Sequence, residues 1–186
     1  MAAGVALAAI GLGSAAAVVD SLSGGNNKWR ALDLVLNAAW LWAGVGVLAG
    51  RVQRHKTAAA LMATAALLLT VLAYWVVSAL RFGAPLVLTS HTRYWLFVAI
   101  VAGPPLGLAG FWMRCRDIPG LVAQLLIPAA VVVEWLVINP LPDRAGFSFD
   151  PWLSWTHAAM PALAVALAGV LVTRWWRARR VRGAVS

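Results

Sequence analysis

Charged residues are scarce in this sequence of 186 residues. Asp, Glu, Lys and Arg together make up 11% of the chain, whereas a soluble domain carries about a quarter. Hydrophobic residues make up 62%, and they occur in long runs rather than at the amphipathic spacing of surface helices. This composition argues against a soluble globular domain and predicts an integral membrane protein.

Several chemistries are disfavoured by what the sequence lacks. A single cysteine, Cys115, excludes an intrachain disulfide. No His, Cys and carboxylate residues show metal-ligand spacing, and no phosphate-binding or dinucleotide-binding glycine motif occurs. We therefore expect neither a metal nor a cofactor. The net charge of +9 indicates membrane topology and contact with anionic lipid headgroups, and we expect no nucleic-acid binding.

Six apolar runs approach the roughly 20 residues that cross a hydrocarbon core as a helix. They predict an all-α bundle of about six transmembrane helices that forms a single domain over residues 1–186. The predicted helices cover about 2–20, 31–50, 57–80, 93–113, 119–139 and 155–174. Along the first helix, the small residues Gly4, Ala8, Gly11 and Ala15 predict a face that another helix approaches closely.

The basic residues are divided unequally between the two sides of such a bundle. The side that holds both termini carries ten of the fifteen Lys and Arg residues. The positive-inside tendency therefore predicts that both termini are cytoplasmic and that the loops near 21–30, 81–92 and 140–154 lie outside. We expect a multi-pass protein of the bacterial cytoplasmic membrane.

Glu134 is the most unusual acidic residue because its neighbours in "LLIPAAVVVEWLVINP" are almost wholly apolar. An ionised side chain within lipid is costly and usually has a function or a partner. Glu134 lies about five residues below the outer end of its helix, which is too deep for a capping residue. We expect it to face an enclosed polar chamber, with an ion pair to Arg81 or Arg93 as the structural alternative.

Other polar residues also concentrate in the outer halves of the predicted helices. Asp33, Asn37 and Trp40 are spaced to share one stripe of the second helix, and Tyr74, Ser78 and Arg81 share one stripe of the third. Asp33 is either a catalytic acid beside Glu134 or a first-turn acid favoured by the helix dipole. The remaining outer acids are expected in loops or caps: Asp20, Asp143 and Asp150.

Tryptophan is abundant, with eleven residues in the chain. Most lie near predicted interfaces, where aromatic belts are expected, but Trp40, Trp42, Trp75 and Trp135 lie deeper. Such rings offer an apolar wall and a π-face that attracts positive charge; ordinary packing is the alternative. The candidate substrate-binding residues are Asn37, Trp40, Tyr74, Trp75, Arg81, His91, Tyr94, Trp95 and Trp135.

Prolines interrupt three of the predicted helices. Gly103-Pro104-Pro105 falls in the fourth, Pro128 in the fifth and Pro161 in the sixth. Each proline removes a backbone hydrogen bond and strains the preceding turn. We expect the three helices to bend and to leave a pocket between them.

The stretches "LDLVLNAAWLWAGVGVLAGR", "RYWLFVAIVAGPPLGLAGFWMR" and "LIPAAVVVEWL" resemble a bacterial family of small multi-pass membrane proteins of unknown function. That resemblance rests on Asn37, Trp40, Arg93-Tyr94-Trp95, Gly103-Pro104 and Glu134; it implies the fold and brings no activity.

A fainter resemblance is to membrane-bound meroterpenoid and indole-terpene cyclases, whose second-helix region carries Asn-x-Ala-Trp followed by a catalytic Glu. Asn37-Ala38-Ala39-Trp40 matches, but Leu41 stands where that Glu is found. Those relatives are also longer and have seven helices.

Two functions from different classes follow. An acid-initiated cyclase or isomerase would act on a hydrophobic isoprenoid, polyene or epoxide in an aromatic-lined pocket open toward the outer half, with Glu134 and Asp33 as its acids. A transporter or binding protein for a lipid-like or cationic small molecule would use the same acids as a counter-ion or proton site. A structural membrane subunit is the third alternative.

Overall fold

The structure is a computed structural model, and it describes residues 2–24, 27–115, 117–138 and 151–183. The predicted outer acids Asp143 and Asp150 lie outside these described residues. Helices and one π-helical segment (the π segment) account for the regular structure: α1 Ala2–Ser23, α2 Asn27–Leu36, α3 Ala39–Arg51, α4 Lys56–Phe82, α5 Ser90–Trp112, α6 Ile118–Val133, the π segment Glu134–Ile138 and α7 Pro151–Gly183.

The helices confirm the predicted all-α membrane fold. Five of them are long and apolar enough to cross a membrane, and the number rises to six if the bent pair α2 and α3 forms one span. No strand occurs among the described residues. The chain forms two compact units, unit one (Met1–Phe111) and unit two (Trp112–Ser186).

The predicted continuous helix over 31–50 is instead two helices. The axes of α2 and α3 differ by 41°, and Ala38 between them has an extended backbone. Two side chains form hydrogen bonds at the break. The Trp42 Nε1–H donates to the Leu36 carbonyl oxygen at 2.8 Å, and the Asn37 Nδ2–H donates to the Asp33 carboxylate. In lipid, such a break persists only where its backbone groups find partners.

The prolines leave their helices continuous. Helix α5 continues through Pro104 and Pro105, α6 through Pro128 and α7 through Pro161. In α5 both prolines lie on the exposed side of the helix, so their rings do not disturb the packed side. An open groove of about 340 Å³ in unit one lies elsewhere, between α1 and α4, and is almost wholly apolar. It is lined by Ile10, Ser14, Leu69, Leu72, Ala73, Val76 and Val77.

Close helix packing in unit one depends on glycine. A Cβ atom at Gly13 of α1 would overlap the Thr70 carbonyl oxygen of α4, and one at Gly50 of α3 would overlap the backbone of Gly107 in α5. The small-residue face predicted for the first helix was wrong. Gly4 and Gly11 have open space around them, and Ala8 and Ala15 are exposed. Because alanine is frequent all around α1, sequence spacing alone did not identify the packed face.

The two glycines of α1 provide a matched test of this packing. We expect Gly13→Ala to lower the stability of the protein by about 1–3 kcal/mol, the usual cost of overpacking. Gly11→Ala should leave stability unchanged or raise it slightly, because alanine favours helix and meets no neighbour. Thermal unfolding of both variants in one detergent measures the difference. Equal unfolding midpoints for the two variants would contradict the close packing of α1 on α4 at Gly13.

The predicted orientation is tested by cysteine labelling in intact cells on a Cys115→Ser background. Ser23 ends α1 on the predicted outer side, and Lys56 begins α4 on the predicted inner side. We expect a membrane-impermeant maleimide to label Ser23→Cys directly and Lys56→Cys only after permeabilisation. The opposite pattern would reverse the orientation.

Candidate functional site

Four polar residues of unit one form a cluster, here called the acidic cluster: Asp20, Asp33, Asn37 and Tyr74. The Tyr74 hydroxyl donates a hydrogen bond to Asp20 Oδ2 at 2.9 Å, and Asn37 donates to the Asp33 carboxylate. Trp42 links the two pairs: its ring meets that of Tyr74 edge to face, and its indole N–H donates to the carbonyl oxygen of Leu36, the residue before Asn37. The cluster therefore brings two acidic residues into helices that are apolar enough to cross a membrane.

The crossing of α1 and α4 positions half of this cluster. Asp20 lies two turns after Gly13 on α1, and Tyr74 lies one turn after Thr70 on α4. The close approach of Gly13 to Thr70 therefore brings the two side chains within hydrogen-bonding distance. Further along the same stripe of α4, Arg81 Nε donates to the Ser21 hydroxyl at 3.2 Å. The predicted stripe that contains Tyr74 and Arg81 thus faces α1.

No basic side chain balances the two carboxylates by an ion pair within the part of the chain that the structure describes. The hydrogen bonds of Asp20 and Asp33 come from a phenol and an amide, both neutral. Arg81 bonds to a hydroxyl group rather than to a carboxylate. Carboxylates within an apolar helix bundle require a proton or a bound cation to offset the cost of desolvation.

Aromatic rings connect the acidic cluster to the surface of unit one. The rings of Trp42 and Tyr74 meet edge to face with centroids 6.0 Å apart, and those of Trp42 and Trp95 are 6.5 Å apart. Tyr94 packs edge to face on Trp95 at 5.4 Å. Tyr94 and Trp95 are 59% and 38% exposed. These four residues, here called the aromatic chain, link an exposed rim to a carboxylate.

The exposed rim includes His91, one of the candidate substrate-binding residues. Trp95 Nε1–H donates to His91 Nε2 at 3.0 Å, so this histidine nitrogen acts as an acceptor and carries no proton in this arrangement. The start of α5 is fixed nearby, where the Thr92 backbone N–H donates to the Thr89 hydroxyl. The beginning of α5 therefore presents three of the candidate residues together, His91, Tyr94 and Trp95.

Unit two contains a separate carboxyl group in a buried position. Glu134 is only 8% exposed and begins the π segment, and its backbone N–H donates to the carbonyls of both Ala130 and Val131. The next residue, Trp135, is 3% exposed and meets the His157 ring edge to face at 4.6 Å. Single-turn π-helical insertions occur frequently at functional sites. Glu134, Trp135 and His157 therefore form the candidate site of unit two.

The helix ends of unit two are joined by specific hydrogen bonds far from Glu134 in sequence. Asp117 caps α6 by accepting a hydrogen bond from the Gly120 N–H at 2.9 Å. The Trp175 indole donates to the Asp117 carbonyl oxygen at 3.3 Å, and Gln124 donates to the Met113 carbonyl oxygen at 3.0 Å. These bonds fix the start of α6 against α7, the helix that carries His157.

A model of a family of unknown function, DUF6518, matches residues 2–186. The chain belongs to this family. Its membership confirms the resemblance to a family of unknown function, and the fainter resemblance to terpene cyclases stays a prediction. No curated protein and no solved structure matches the chain.

In this DUF6518 chain the two predicted catalytic acids lie in different units, Asp33 in unit one and Glu134 in unit two. The candidate aromatic residues also lie in both units: Trp135 in unit two, and Trp40, Trp75, Tyr74 and Tyr94 in unit one. A cavity that they share therefore stays a prediction. Trp40 lies on α3 rather than on the helix of Asp33, because the second span is broken after Leu36. Trp75 is half-buried and makes no ring contact among the described residues.

Sequence reasoning missed three residues of these sites in DUF6518. Asp20 was predicted in a loop or cap, but it belongs to α1 and accepts the Tyr74 hydrogen bond. Trp42 was singled out for its depth and left out of the site, and His157 was left out as well. Asp20 follows Gly13 by seven residues, so a correct packing face for α1 would have indicated it. No group of His, Cys, Asp and Glu suited to a metal ion occurs in the described residues.

Proposed function

We propose that unit one binds a hydrophobic small molecule that carries a positive charge, and that the protein is a transporter or binding protein for that molecule. The observation that supports this function best is the acidic cluster itself. Asp20 and Asp33 each accept a hydrogen bond from a neutral group, make no ion pair with a described basic residue, and lie next to the aromatic chain.

A lipophilic organic cation suits both parts of this arrangement. Its positive charge is attracted by the carboxylates, and its apolar surface packs on the aromatic rings. A cation over an aromatic face gains about 0.5–2 kcal/mol, with the higher value where water is excluded. An inorganic cation would gain less from the rings and would lose more hydration. The exposed rim of Tyr94 and Trp95 gives such a molecule access from the membrane interface.

The experiment that tests this proposal is mass spectrometry of small molecules that co-purify with the protein. We expect extracts of the wild type to contain a hydrophobic cation that is absent from the double variant Asp20→Asn, Asp33→Asn. Both substitutions keep the shape of the side chain and remove its charge. Identical extracts from the two proteins would contradict cation binding at the acidic cluster.

A second candidate function is supported by the candidate site of unit two. An acid-initiated cyclase or isomerase needs a carboxyl that donates a proton in a water-excluded site, with rings nearby that stabilise developing positive charge. Glu134 is buried, whereas Asp20 and Asp33 are each only partly buried. Glu134 next to Trp135 is therefore the better general acid in this chain, and Asp33 is better suited to binding a cation.

A further inference from the structure

We infer that Trp42 couples ligand binding at the acidic cluster to the bend between α2 and α3. This inference rests on the proposed function and assigns a role to a residue that directly contacts neither Asp20 nor Asp33 in the structure. Trp42 has two distinct interactions: its ring belongs to the aromatic chain, and its indole N–H bonds across the break in the helix.

Hydrogen bonds from both backbone and side chains lie at the break. The Leu41 and Trp42 backbone N–H groups donate to the Ala38 carbonyl oxygen at 3.1 and 3.4 Å, and the Ala38 side chain provides no cap for α3. The side-chain bond from Trp42 to Leu36 crosses the gap, and the bond from Asn37 to Asp33 lies at the end of α2. The angle between α2 and α3 therefore depends on residues that also belong to the proposed binding site.

A ligand at this site acts on both side-chain bonds. A cation on the Asp33 carboxylate competes with the Asn37 amide, and a ring or charged group packed on Trp42 moves its indole relative to the Leu36 carbonyl oxygen. A ligand shifts a conformational equilibrium only if it interacts more favourably with one conformation than with the other. The contacts of the ligand with Asp33 and Trp42 provide this difference between conformations of the bend. Discontinuous helices form the substrate and ion sites of many membrane transporters.

The test measures the distance across the break by pulsed electron paramagnetic resonance in the full chain, reconstituted in nanodiscs on a Cys115→Ser background. Spin labels replace Leu32 on α2 and Leu48 on α3, two exposed positions. Sixteen residues separate them, about 24 Å along a straight helix at 1.5 Å per residue, which suits the method. The probe is tetraphenylphosphonium, a lipophilic organic cation.

The variant is Trp42→Phe, which keeps an aromatic ring and removes the N–H donor. The control is Trp175→Phe, which removes another indole-to-carbonyl hydrogen bond, from Trp175 to Asp117 in unit two. Without the probe, we expect a broader distance distribution in Trp42→Phe than in the wild type or the control. With the probe, the distribution should shift in the wild type and in the control, and this shift should be lost in Trp42→Phe.

The possible results separate the role of Trp42, the coupling to the bend and the proposed function. Equal distributions and equal shifts in all three proteins would overturn the role of Trp42. Saturable binding of the probe to the wild type without any change in distance would overturn the coupling and leave the proposed function intact. Absence of saturable probe binding to the wild type would count against the proposed function itself, and the coupling to ligand would fall with it.

Discussion

Asp20→Asn is expected to weaken the binding of tetraphenylphosphonium by at least about tenfold. Two opposite charges 5 Å apart attract each other by roughly 3 kcal/mol at an effective dielectric constant of 20. Even if desolvation and screening remove half of this energy, the remainder corresponds to about a factor of ten in affinity. The amide keeps an oxygen that accepts the Tyr74 hydrogen bond, so we expect the fold to be retained.

The matched control for this variant is Asp117→Asn. It removes one negative charge from the chain in the same chemical way, at the N-cap of α6, and asparagine remains a good helix cap. Equilibrium dialysis against empty nanodiscs separates saturable binding from partition of the probe into lipid. An equal loss of affinity in both variants would show a general effect of net charge and would contradict a specific role for Asp20.

Glu134→Gln has the largest expected effect if the candidate site of unit two is catalytic. The amide has nearly the same shape as the carboxyl group but cannot supply the proton, so we expect product formation to fall by roughly 10²- to 10⁴-fold. The fold should persist, because the substitution leaves the packing of Trp135 on His157 in place. Asp33→Asn should leave product formation unchanged if Asp33 serves cation binding in unit one.

The measurement compares stability and product formation on the same sample of Glu134→Gln. Thermal unfolding reports stability, and mass spectrometry after incubation with a lipid extract of the host reports products. Loss of stability with unchanged products would assign Glu134 a structural role, because removing one partner of a buried polar interaction costs several kcal/mol. Absence of any turnover in the wild type would contradict the cyclase or isomerase as the function.

The fold was predictable because the length and hydropathy of a run nearly suffice to define a membrane-spanning helix. The break after Leu36 was not, because its sequence contains no proline, and the bond from Trp42 to a carbonyl six residues earlier is visible only in the folded chain. Conversely, proline was a poor guide to where a helix ends, since α5 continues through Pro104 and Pro105. Residue type alone therefore did not indicate where this helix breaks.

The candidate sites were predictable in part for a similar reason. Helical spacing correctly placed Tyr74 and Arg81 on one face. It also placed Asp33 and Asn37 on one stripe, where the structure shows a hydrogen bond between them. The bond between Asp20 and Tyr74 joins residues 54 positions apart and depends on how α1 packs on α4. The π segment at Glu134 was also missed, because an apolar run gives no sign of one additional residue in a helical turn.

The central claim is that unit one binds hydrophobic molecules because they carry positive charge. The most direct test compares two probes of the same shape and opposite charge, tetraphenylphosphonium and tetraphenylborate, in equilibrium binding to the protein in nanodiscs with empty nanodiscs as the reference. We predict saturable binding of tetraphenylphosphonium that is lost in the Asp20→Asn, Asp33→Asn variant, and no saturable binding of tetraphenylborate. Equal binding of both probes, or unchanged binding by the variant, would contradict the claim.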